Sequence, residues 1–72
     1  MPGSMDDICQ RFAKNVRRLR RAMDMSQEEF AHRAGVHRTY ISDVERGKRN
    51  PSITIVEQFA TALRVSAGSL LD

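Results

Sequence analysis

Arginine dominates the chemically capable side chains of this 72-residue chain. Ten of its twelve Lys and Arg residues are Arg, against nine Asp and Glu, giving a net charge of +3 and a pI of about 9.8. The planar guanidinium suits bidentate recognition of phosphate and guanine. A total of +3 carries little alone and gains meaning only if the charges share a face. Catalytic and metal chemistry find poor support. Cys9, His32 and His37 are far apart and lack zinc-ligand spacing. Cys9 near a helix start has no evident base partner, so a small buried or half-buried thiol is the simpler reading. His32 reads as a surface residue. The sequence holds no phosphate-cradling glycine loop and no carboxylate cluster of metal-binding form. No cofactor and no enzymatic activity are expected.

The elements that position these residues are helical throughout. Ile8, Phe12, Val16, Leu19 and Met23 repeat at four, four, three and four residues, which predicts an amphipathic helix over roughly 7–23. Its other face carries Arg11, Lys14, Arg17, Arg18 and Arg21, and Asp6 and Asp7 fall at the positive end of its dipole. Ser26 and Glu29 form a capping box for the next helix, with Met25 and Phe30 as a staple. Gly35 ends that helix. A third runs from about His37 to Arg46, with Ile41 and Val44 inward, Val36 and Ile41 as staple, and Gly47 as terminator. Gly47 to Ser52 is a polar, basic loop. A fourth helix covers about 54–63, burying Ile53, Ile55, Val56, Phe59, Ala60 and Leu63. Its cap is either Thr54 or Ser52. Ser66 caps a fifth, short helix carrying Leu70, with Val65 completing the staple. No segment alternates with the period of a strand. The expected fold is all-α, five helices in one compact domain over 6–72, and Met1–Met5 read as a cloning remnant.

Several further classes are excluded or disfavoured. No apolar run is long enough to span a membrane. No secretory signal is visible, and one cysteine makes no internal disulfide, so a cytoplasmic location is expected. At this length only about 60% of the unfolded surface is buried, which leaves a thin core.

The informative spacing lies between Gln27 and Arg46. Ala31 is small where two helices cross, Gly35 makes a left-handed turn four residues on, and Ile41 and Val44 lock the second helix against the first. This is helix-turn-helix spacing; an ordinary helical hairpin with a glycine cap shares its length. The surrounding stretches narrow the choice: Asn15-Val16-Arg17-Arg18-Leu19-Arg20, Ser26-Gln27-Glu28-Glu29-Phe30-Ala31, Tyr40-Ile41-Ser42-Asp43-Val44-Glu45-Arg46-Gly47, Arg49-Asn50-Pro51-Ser52 and Leu63-Arg64-Val65-Ser66. With these, residues 14–71 resemble the lambda-repressor-like, Cro/repressor-type helix-turn-helix proteins. Arg38-Thr39-Tyr40-Ile41-Ser42 followed by Glu45-Arg46 is most similar to the controller proteins of restriction–modification systems. The sequence departs from that pattern at His37, where Ser, Thr or Asp is usual, and at Arg64, where Gly is common.

The resemblance implies a transcriptional regulator that binds a palindromic double-stranded operator as a homodimer, with RNA polymerase as a further candidate partner. The helix from His37 would enter the major groove, the docking mode known for this fold. Its exposed face offers Arg38, Thr39, Ser42 and Asp43 for base edges. Arg38 can grip guanine O6 and N7, and Thr39 can meet a thymine methyl. Asp43 can accept from cytosine N4 or orient Arg38 or Arg46. Backbone phosphates would meet Gln27, Arg17, Tyr40, Arg46, Lys48, Arg49, Asn50 and Ser52. Tyr40 reads equally as half-buried packing, and Arg11, Arg18 and Arg21 as solvated. Arg20 and Glu45 would form a structural ion pair, worth roughly 3–5 kcal/mol if buried and within about 1 kcal/mol if exposed. Val65, Leu70 and Leu71, at the C-terminal end, are expected to form the dimer surface; the alternative is that they close the chain's own core. An antitoxin-type module that sequesters a protein partner shares the fold and is the alternative function. The sequence reads as a complete short protein rather than the DNA-binding part of a longer repressor.

Overall fold

The computed structural model describes residues 5–72, so the expected remnant at Met1–Met5 lies, but for Met5, outside the described residues. Five helices follow one another: α1 (Met5–Ala22), α2 (Gln27–Ala34), α3 (Arg38–Glu45), α4 (Ile53–Leu63) and α5 (Ala67–Leu71). No strand occurs among the described residues. The helices start where serines supply an acceptor. Ser26, Ser52 and Ser66 Oγ accept from the backbone N–H of Glu29, Ile55 and Ser69. The choice between Thr54 and Ser52 therefore falls to Ser52, and α4 begins one residue earlier than expected. The reciprocal half of the α2 box is replaced: Glu29 pairs with Arg33 one turn on, at 2.8 Å. His37 caps α3 in extended conformation without a side-chain bond.

Four helices end alike. Beyond α1, α2, α3 and α4 the chain turns left-handed at Asp24, Gly35, Gly47 and Arg64. In each case the following N–H (Met25, Val36, Lys48 or Val65) reaches back to a carbonyl in the helix's last turn. This is the Schellman exit, and glycine is its natural residue because a Cβ is strained there. Asp24 and Arg64 adopt it without being glycine. Asp24 is also why α1 stops at Ala22, leaving Met23 beyond the helix rather than at its end.

The core assembles from the predicted stripes. Phe59 sits at its centre, stacked on Phe12 (5.8 Å between centroids) and edge-on to Phe30 (5.0 Å) and Tyr40 (6.2 Å). Val16, Ile41, Val44 and Leu70 are fully enclosed around it. Two expectations need correction. Leu70 is 0% exposed, so it closes this chain's own core and offers nothing to a dimer partner. Val65 and Leu71 stay half-buried. Ile53, expected inward, is 86% exposed. It is the first residue of α4, and its side chain stands at the free end of the helix, beside a groove shared with Ile8, Pro51 and Leu71. Side chains of α1 tie down the C-terminal turn: Asn15 Nδ2 donates to the Leu70 and Asp72 carbonyls, both at 3.0 Å, and Arg11 Nε to the Leu71 carbonyl at 3.2 Å.

Candidate nucleic-acid interface

Ile41 and Val44 turn inward, so the opposite face of α3 is left to solvent. At about 100° per residue, Arg38, Thr39, Ser42, Asp43 and the following Arg46 fall together on it. Arg38, Thr39 and Arg46 are exposed, Ser42 and Asp43 half-buried. Arg38 makes no ion pair among the described residues, and its guanidinium is available to an outside acceptor.

Asp43 has a different position. It pairs with Arg46 Nη2 at 3.0 Å and with Arg49 Nε at 3.4 Å. The hydrogen bond from Arg46 is the main reason its carboxyl lies below the usual aspartate range; desolvation opposes this, and the charges of Arg49 and Arg46 add to it. Of the two roles open to Asp43, the geometry displays the orienting one, directed at Arg46 and Arg49 rather than Arg38. Arg49 is held a second time, with its guanidinium 5.0 Å from the centre of the Tyr40 ring. Tyr40 is half-buried against Phe59, and burial raises its hydroxyl pKa against the opposing charge of Arg49. Tyr40 thus packs on the core and carries a loop arginine on its outer surface. Lys48 is exposed, with its backbone N–H bonded to the Asp43 carbonyl at 2.9 Å.

The ion pair implied by resemblance is present and buried. Arg20 Nε donates to Glu45 Oε2 at 2.6 Å and Nη2 to Oε1 at 3.0 Å, a bidentate fork. Side-chain exposures are 10% and 4%. Arg20 Nη1 also donates to the Met25 carbonyl at 2.6 Å, and Gln27 Nε2 to Glu45 Oε1 at 3.1 Å. One guanidinium therefore joins the end of α1, the entry of α2 and the end of α3. Sequence reasoning placed Gln27 at a phosphate and missed this bond. Its amide is turned to Glu45 and is thereby committed within the fold. The signal was present in the spacing, since Gln27 and Arg20 both flank the turn that Glu45 must reach.

The remaining candidates are dispersed. Ser52 is committed to capping α4, and Asn50 is exposed beside Pro51. Arg17 lies on α1 and is exposed. Among the described residues no cluster of His, Cys, Asp or Glu could hold a metal ion. No helix is long and apolar enough to cross a membrane.

A short helix laid across a second one through a glycine turn, with its outer face basic and polar, defines a helix-turn-helix domain. The family model described as helix-turn-helix matches residues 16–70, and the chain belongs to that family. Over 62 residues it is 47% identical to the control protein C.BamHI of Bacillus amyloliquefaciens, covering 85% of this chain and 76% of that protein. Its fold is similar to that of the restriction–modification controller protein C.AhdI of Aeromonas hydrophila, with a TM-score of 0.83, 39% identity, and coverage of 86% of this chain and 94% of that one. It is also similar to the controller protein C.Esp1396I, solved as a tetramer with its natural 35 base-pair operator, with a TM-score of 0.78, 32% identity, and coverage of 82% and 78%.

Proposed function

We propose that this chain is a sequence-specific regulator of transcription that binds double-stranded DNA as a homodimer, in the manner of a restriction–modification controller. The observation that carries the reading is the buried Arg20–Glu45–Gln27 network beneath α3, which fixes the angle of an outer face bearing an unpaired Arg38. Base edges meet Arg38, Thr39 and Ser42. Arg46, Lys48 and Arg49 meet the phosphates beside them, with Asp43 and Tyr40 holding the arginines in place. Operator occupancy then acts on RNA polymerase at the same promoter.

One helix reads few base pairs, so a second copy supplies the rest, and a two-fold protein requires half-sites about one turn (~34 Å) apart. The second copy is assigned to the apolar groove beside Ile53, with Ile8 and Leu71 along it. The assembly of C.Esp1396I on its operator as a tetramer supports a self-associating reading.

Selection of binding sites from a random DNA pool tests this directly. The expected product is a two-fold symmetric sequence. Arg38→Ala relaxes preference at one position by about 1–3 kcal/mol, whereas Lys48→Ala weakens all sequences similarly. Recovery of no common sequence, or equal losses on cognate and random DNA for both variants, refutes the assignment.

A further inference from the structure

Apart from the buried Arg20, the cations of α1 have no role in the reading face described above. Lys14, Arg17, Arg18 and Arg21 line one shallow depression on the outer side of the helix. All four are exposed. The ion pairs of the described residues engage Arg20, Arg33, Arg46 and Arg49, and none of these four. Arg18 alone is held, by Asn15 Oδ1 at 3.4 Å. Like charges three and four residues apart destabilise a helix, so the fold gains nothing from Lys14 and Arg17 in mid-helix. Arg21, in the last turn, has the dipole in its favour.

The orientation of this stripe is fixed. At about 100° per residue, Gln10, Lys14, Arg17 and Arg21 lie within about 60° of one another, beside Arg20. Arg20 faces Glu45 at the end of α3. At the other end of the stripe, the Gln10 amide packs where a side chain on Gly47 would stand. The basic edge of α1 therefore runs alongside the end of α3 and the turn leading to Lys48 and Arg49. It is continuous with the proposed DNA face, and the buried ion pair prevents it from swinging away.

We propose that Lys14, Arg17 and Arg21 form a second, sequence-independent contact with duplex phosphates flanking the base pairs read by α3. The assignment rests on the DNA-binding reading above and extends the contact surface onto a helix outside the helix-turn-helix pair. Arg17 alone was expected at a phosphate from the sequence; Arg21 was expected to be solvated.

The test compares the wild-type protein with a Lys14→Gln/Arg17→Gln/Arg21→Gln variant on two duplexes. One carries the selected site with about ten base pairs on each side, and the other is trimmed to the site. Each phosphate contact contributes about 0.9 to the slope of log affinity against log salt. On the long duplex the variant's slope is expected to be shallower by about 2–3 per protomer. Over 50–200 mM salt, that is roughly 40-fold less loss of affinity per protomer. On the trimmed duplex the two proteins should differ far less, and the ratio of cognate to random affinity should be unchanged. An Arg17→Lys/Arg21→Lys variant, which keeps the charges, should retain the wild-type slope. An unchanged slope for the triple variant on the long duplex overturns the proposal and leaves the stripe to an acidic protein surface. A wild-type protein without cognate preference would instead refute the underlying DNA-binding reading.

Discussion

Glu45→Ala is the most severe single perturbation the structure offers short of the aromatic core. It removes both oxygens that the Arg20 fork grips, at 2.6 and 3.0 Å, and the acceptor of the Gln27 amide. The guanidinium stays in place, with a side chain only 10% exposed and the Met25 carbonyl as its remaining acceptor. Two charge-assisted hydrogen bonds at about 1.5–3 kcal/mol each give a loss of about 3–6 kcal/mol, in line with the roughly 3–5 kcal/mol for breaking a buried pair. A domain of this length has roughly 4–11 kcal/mol in total. The variant should therefore melt more than about 10 °C lower, or fail to fold at 37 °C.

The explanation is separable from mere loss of a side chain. Replacing both partners with apolar residues, Arg20→Met with Glu45→Leu, removes the uncompensated charge. It should return stability to within about 2 kcal/mol of wild type. Urea unfolding of the four proteins of this cycle, at constant m, measures the coupling. A Glu45→Ala cost under about 1 kcal/mol, with Arg20→Met and Glu45→Leu additive in the cycle, would show a pair in equilibrium with solvent and refute the reasoning. The apolar double variant also tests the functional role. If the pair sets the angle of α3, the refolded protein should discriminate cognate from random DNA less well than wild type.

Three other variants test separate features. Arg64→Gly relieves a left-handed backbone (φ 60°) at the exit of α4 and should stabilise the fold by about 0.5–1 kcal/mol. Gly35→Ala, where an added Cβ meets no neighbour, should lose about 1–2 kcal/mol from backbone strain alone; a destabilised Arg64→Gly or an unaffected Gly35→Ala in thermal melts would contradict the Schellman reading. Asp43 has a lowered folded pKa, so its pairing with Arg46 and Arg49 is fully present above the ordinary aspartate range and fades only as pH falls through the folded value. An NMR titration midpoint at or above the ordinary value would rule this out. Ile53→Glu should convert the dimer to monomer by sedimentation equilibrium and weaken operator binding while leaving the melt of the monomer nearly unchanged, because the side chain is 86% exposed.

The elements that were legible in the sequence share one property: their signals are local. Ser26, Gly35, Gly47 and Ser66 mark boundaries through bonds that span three to six residues, and they fall where expected. The face of α3 was legible because Ile41 and Val44 alone fix its rotation. The misses depend on where a helix ends relative to its neighbours. Ile53 lies on the right stripe of α4 but at its free end, and periodicity does not record where the neighbouring surface stops. Leu70 was expected at the dimer surface for the same reason, since α5 is short and its burial depends on α1 arriving beneath it. The left-handed Asp24 went unmarked because aspartate carries no glycine-like signal, although the Met25 N–H bonding back to the Arg20 carbonyl closes the same motif.

The core and the reading face of this domain are linked through two side chains. Phe59, at the centre of the aromatic cluster, is in edge contact with Tyr40, and Tyr40 carries Arg49 on its far side. Arg49 in turn holds Asp43, and Asp43 holds Arg46. On the opposite edge of α3 the Arg20 fork makes the equivalent connection to α1. The helix is therefore held on both sides by groups whose own positions are set by packing, and a core this small has no independent way to absorb a shift. A substitution at Phe59 that spared folding would move Arg49 before it moved Arg38. It should change affinity for phosphates and its salt dependence while base preference at the Arg38 position is retained. Loss of the Arg20 fork, by contrast, frees the edge of α3 nearest Arg38 and should affect base preference first. Comparing the two variants on cognate and random duplexes separates the two supports of a single helix.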